Sequence, residues 1–93
     1  MTEYVRAHAI IRGIVQGVFF RLETQRTALQ HNVTGWVRNK SDGTVEAVFE
    51  GPKNQVDSAL NWCRQGPPRS TVARVDVTWE EFSGQFESFD ITG

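Results

Sequence analysis

The sequence predicts an α+β sandwich in which strands and helices follow the order β-α-β-β-α-β, and three observations carry this. Stretches with hydrophobic period two alternate with stretches of helical period. A Ser-Asp-Gly tip at residues 41–43 joins two strand-like runs with no helix between them. The β-α-β halves on either side of that hairpin are similar in length, and no linker, repeat or low-complexity run interrupts them.

Residues 5–11 open the chain as a strand, with Val5, Ala7, Ala9 and Ile11 alternating against Arg6, His8 and Ile10. The segment from Gly13 to Gly17 breaks the alternation. A helix is expected next over "RLETQRTALQH", which holds good helix formers and neither Gly nor Pro. Phe20, Thr24 and Ala28 share its apolar stripe, with Leu29 beside Ala28. Asn32, one of the few non-glycine residues that tolerates a left-handed conformation, should end it. "VTGWVRN" and "TVEAVFE" are the arms of the hairpin. Pro52 suits the first position of a second helix, and Val56, Ala59, Leu60 and Cys63 recur at helical spacing until Gly66 and two prolines stop it. Residues 72–79 set Ala73, Val75, Val77 and Trp79 against Arg74, Asp76 and Thr78 as a half-buried strand. "FESFDI" can add a short fifth strand. The order is that of the ferredoxin-like split βαβ sandwich: a mixed, mostly antiparallel sheet with two helices on one face.

Ninety-three residues suffice for one core, so a single domain over residues 1–93 is expected. A net charge of −1 argues against bulk attraction to nucleic acid or membrane surfaces. Any bound anion must therefore be captured locally. One cysteine, an acid at position 3 and no apolar run of membrane length make a cytoplasmic chain the expectation. A monomer is expected for so small a chain.

"RGIVQGVFFR" at residues 12–21 supplies a means of local capture. Gly13 and Gly17 allow positive φ, so main-chain N–H groups can converge into an anion-binding concavity. The first helix starts directly after, adding its free N–H groups and the positive end of its dipole. Arg21 adds a permanently charged fork able to grip two phosphate oxygens. In the expected topology strands one and two are parallel with strand three between them. The loop and Asn39 then lie at one end of the sheet, about 10 Å apart, a gap that a phosphate and a water could fill.

"IRGIVQGVFFR" and "GWVRNKSDGTVEAVFEG" together resemble the two signature segments of the acylphosphatase family. Gly13, Val15, Gln16, Gly17, Val18, Phe20 and Arg21 match the first. Gly35, Trp36, Val37, Arg38, Asn39, Gly43, Val45 and Gly51 match the second, and "GPPRSTVARV" is similar to the family's entry into its fourth strand. The resemblance implies hydrolysis of small-molecule acyl phosphates to a carboxylate and inorganic phosphate, with no metal and no cofactor. It places the catalytic pair on Arg21 and Asn39. It places the phosphate cradle on the main-chain N–H groups of Val15, Gln16, Gly17, Val18, Phe19 and Phe20. Arg21 and the amides would stabilise the phosphoryl oxygens by positioning and charge, while Asn39 orients the attacking water. A carboxylate leaves readily at neutral pH, which suits motifs without an obvious general acid or base. Two departures from the family's usual wording stand at Asn32, where glycine is frequent, and Ile14, where a basic residue is frequent.

Each residue also has a plainer reading. Arg21 alone could be a solvated residue at a helix start, where a cation opposes the dipole. Asn39 alone reads as the lead into a turn. Gly43 closes the hairpin, His8 and His31 lack metal-ligand spacing, Cys63 falls on a core stripe, and Trp36, Trp62 and Trp79 read as packing. Two rival functions are an RNA-binding sheet and a catalytically idle anion sensor. "TVEAVFE" lacks the basic-glycine-aromatic pattern of the first, and its two glutamates would repel phosphates. The presence of both Arg21 and Asn39 argues against the second.

Overall fold

The computed structural model describes residues 2–93. Its elements are β1 (Tyr4–Ile14), α1 (Phe20–Gln30), β2 (Thr34–Asn39), β3 (Val45–Pro52), α2 (Lys53–Gln65), β4 (Thr71–Glu80) and β5 (Phe89–Ile91). The sheet order is β4-β1-β3-β2-β5. All neighbours are antiparallel except β2 and β5. This is the expected ferredoxin-like α+β sandwich, completed by the short fifth strand.

Period-two alternation decides what each face of the sheet carries. Ala7, Ala9 and Ile11 of β1, Val45, Ala47 and Phe49 of β3 and Val37 of β2 are all buried. They meet Phe20 and Ala28 from α1 and Val56, Ala59, Leu60 and Cys63 from α2 in one core. Helix α1 packs on β2 and β5, α2 on β1, β3 and β4, and the helices touch each other. Thr24 joins the buried stripe because its hydroxyl donates to the Phe20 carbonyl at 2.7 Å. Leu29 turns away and is half exposed.

The opposite face is a lattice of charges. Glu46 accepts from Arg38 and faces His8, while Asp76 pairs with Arg12 and Arg74. Glu50 is fully buried, because the chain beyond β4 crosses over it. It accepts from the Ser83 N–H and hydroxyl, the Gly84 N–H and the Arg6 guanidinium. Those four donors satisfy a carboxylate that would otherwise be costly to bury.

Four expectations are revised. The first strand does not stop before Gly13 but runs to Ile14, with a register shift between Arg12 and Gly13 against β4. Gly13 has φ 130°, and a Cβ there would lie 2.1 Å from the Thr71 carbonyl oxygen. Its glycine thus serves a close strand approach at a bulge. Pro52 ends β3 and precedes α2 instead of occupying the helix's first position. In β4, an edge strand, Ala73 is exposed and Trp79 is 49% exposed, its ring lying under the Lys53 ammonium. Trp79 therefore does not pack as core.

Candidate active site

Register places the site. Val45 at the start of β3 pairs with Ile11 on one side and Asn39 on the other. The C-terminal ends of β1 and β2 therefore share one end of the sheet, as the topology requires. Ile11 and Val45 point into the helix-covered core, and Asn39, in their row, does the same. A slip of one residue would turn Asn39 to the charged face.

From β1 the chain enters an irregular loop over residues 15–19. Val15 anchors its start in the core and Phe20 its end. Two residues bend it with positive φ: Gly17 at 73° and Phe19 at 64°. Phe19 is the N-cap of α1 and makes no side-chain cap bond, so the first turn of the helix keeps its free N–H groups. Among the turn and loop hydrogen bonds of the described residues, none uses the N–H of Gln16, Gly17, Val18 or Phe19 as donor. A left-handed Phe costs about 1–3 kcal/mol, a strain of the kind that clusters at ligand clamps. Its ring gains little from packing in return, being 70% exposed.

A cavity of about 320 Å³ opens over this loop, lined by Val15, Gly17, Phe19, Phe20, Arg21, Leu22, Asn39 and Ile91. The structure thus brings Arg21 and Asn39 to one cavity together with four of the six cradle residues. Arg21, in the first turn of α1, is exposed and forms no ion pair among the described residues. The side-chain Oδ1 of Asn39 is buried with no hydrogen-bond partner among the described residues. Buried carboxamide oxygens are normally satisfied, so this one, at a cavity wall, is left free to accept from a donor outside the chain.

Gln16 and Val18 do not line the cavity. Val18 packs toward the other side of α1. The Gln16 side chain reaches across to the β2–β3 hairpin, and its Nε2 donates to the Lys40 carbonyl at 2.7 Å and the Thr44 carbonyl at 2.9 Å. It ties the loop to the hairpin that follows Asn39. The hairpin is itself braced by Asp42, whose carboxylate accepts from the Thr44 hydroxyl and N–H. These bonds hold the Asp42 carboxyl below its ordinary value, the hydroxyl contributing most. Sequence reasoning missed this strap, having counted Gln16 only for its N–H. It also missed Leu22 and Ile91 as cavity walls.

The other reactive side chains stand apart. Cys63 is fully buried, and burial pushes its thiol up to about 12, so it remains protonated and is no nucleophile. His8 is on the charged face and His31 bonds Gln55 at the end of α1. Among the described residues no three His, Cys, Asp or Glu side chains cluster as a metal site would need.

An α+β sandwich with a loop of free amides, an unpaired guanidinium and an orphan carboxamide around one cavity is an arrangement suited to a small anion such as a phosphoryl group. A family model described as Acylphosphatase matches residues 7–91. The chain is 51% identical over 86 residues to an acylphosphatase of Pelotomaculum thermopropionicum, covering 92% of this chain and 94% of that one. It is 53% identical over 90 residues to an acylphosphatase of Pyrobaculum aerophilum, covering 96% and 95%. Among solved structures, acylphosphatase from Bacillus subtilis superposes with a TM-score of 0.92 at 35% identity, over 96% of this chain and 99% of that one. The chain belongs to the acylphosphatase family. Its activity is the hydrolysis of acyl phosphates to a carboxylate and inorganic phosphate, and neither the RNA-binding nor the idle-sensor reading is favoured.

Proposed function

We propose that the main-chain N–H groups of residues 15–20 and the Arg21 guanidinium hold the phosphoryl group, and that Asn39 orients the attacking water. The observation carrying this reading is the orphan Oδ1 of Asn39, buried in the wall of the cavity that Arg21 and the loop also line. A water donating to that oxygen would be aimed at a phosphorus seated in the loop. Phosphoryl transfer leaves the protein little covalent chemistry to do; positioning and charge stabilisation carry the rate. The amides and guanidinium meet the charge on the non-bridging oxygens, and the carboxylate departs without protonation by a general acid. A carboxamide cannot serve as a strong base, so Asn39 acts on the water's position.

Asn39→Ala tests the assignment: kcat should fall by about 10²-fold, the loss expected for one preorganised polar group, with KM little changed. A fully active Asn39→Ala protein would remove the water-holding role.

The same reading makes the protein a monomer that does not bind nucleic acid. Its support is the near-neutral charge and the pairing of Glu46 and Glu50 with arginines on the sheet face away from the helices. Among the described residues no helix is long and apolar enough to cross a membrane. The lone, buried cysteine suits the reducing interior of the cytoplasm.

A further inference from the structure

A second, larger concavity of about 880 Å³ lies beside the cradle, between the start of α1 and the connection from α2 to β4. Phe19, Leu22, Trp62, Pro67 and Pro68 make much of its wall apolar, with Glu23, Gln65, Arg69 and Ser70 as the polar members. Phe19 and Leu22 line both this groove and the cradle cavity. Trp62 packs on Phe20 at 5.4 Å between ring centroids, which braces the groove wall against the base of the cradle. Phe19 and Leu22 are among the exposed large apolar side chains, so the fold leaves oily surface where substrate must pass.

We infer that this groove binds the acyl half of the substrate and selects uncharged, apolar acyl groups larger than acetyl, aromatic ones included. The inference rests on the phosphate occupying the cradle. With the phosphorus there, attacking and leaving oxygens stand roughly in line. Asn39 approaches from the β2 side of the sheet. The groove lies toward β4, with β1 and β3 between. The leaving carboxylate and the acyl chain behind it consequently point away from Asn39 and into the groove. Of the charged side chains on the groove lining, Glu23 is already paired with Arg26 and Arg69 is exposed to solvent, which screens its charge, so neither is a strong anchor for a second anionic group. Apolar contact is what the walls chiefly supply.

The experiment compares kcat/KM for benzoyl phosphate and acetyl phosphate in the unaltered protein and in Leu22→Asn and Pro68→Asn. The ratio of the two values cancels intrinsic reactivity and any loss of folded protein. Both variants should lower the benzoyl-to-acetyl ratio about tenfold, the scale of a lost apolar pocket contact. In Pro68→Asn, inhibition by inorganic phosphate should stay as it is in the unaltered protein, since the cradle is untouched. A ratio unchanged in both variants overturns the groove assignment while leaving the cradle reading standing. Absence of turnover of either substrate by the unaltered protein overturns the cradle reading itself.

Discussion

Arg21 is drawn into a position that helix electrostatics alone would not choose. A cation in the first turn of α1 faces the positive end of the helix dipole, and no carboxylate pairs with it among the described residues. A dianion held there, as proposed, would offset both penalties. Arg21→Ala should therefore cost at least about 10²-fold in turnover. The folded protein should be no less stable, which thermal unfolding without ligand can check. Arg21→Lys should recover only part of the rate, because an ammonium lacks the planar fork. Gln16 works at one remove. Removing its two bonds to the Lys40 and Thr44 carbonyls in Gln16→Ala frees the loop from the hairpin. kcat/KM should fall about 10- to 100-fold through misplacement of the amides. Weaker inhibition by inorganic phosphate would identify the loop as the part disturbed.

Among the elements, β2 has the least room to adjust. Gly35 has φ 136°, and a Cβ there would lie 1.9 Å from the Val48 carbonyl oxygen of β3. The contact is with backbone, so no rotamer change relieves it. Gly35→Ala should destabilise the fold by at least about 2 kcal/mol, measured by urea unfolding. It should also lower activity in the molecules that stay folded, because pushing β2 from β3 moves Asn39 at the end of the same strand. Helix α1 is held differently. Phe20 is fully buried, a contribution of about 1.5–3 kcal/mol, and it pins the helix start over the loop.

At the scale of the whole molecule, Glu50 joins the sheet face away from the helices to the chain segment beyond β4. Burial works to raise its carboxyl, but the Ser83 N–H and hydroxyl, the Arg6 guanidinium and the Gly84 N–H together hold it below the ordinary value of 4.5. A carboxyl depressed on folding stabilises fully above its unfolded value. That stability drains away as pH falls from about 4.5 through the lower folded value. Glu50→Gln should be less stable than the natural protein at neutral pH. It should also lose less of its melting temperature between neutral pH and acid, which calorimetry at a series of pH values resolves. Glu46 is depressed as well, burial opposing and His8 and Arg38 prevailing, so some acid sensitivity should remain in the variant.

Alternation, turn chemistry and helical spacing are local, and they were sufficient for the order of elements, the hairpin at residues 41–43 and the four buried positions of α2. They suggested Arg21 beside a glycine loop, but Asn39 alone read as a turn residue, and the catalytic pair came only from the resemblance of two ordered motifs to one family. What lay beyond them depended on which strand becomes whose neighbour. No local pattern shows that Gly13 passes against Thr71, that Trp79 falls on an outer edge, or that Ile91 pairs beside β2 to wall the cavity. The Gln16 strap is of the same kind, because its acceptors are carbonyls that every residue carries. Side-chain pattern is written along the chain, whereas proximity between backbones is created only when the sheet assembles.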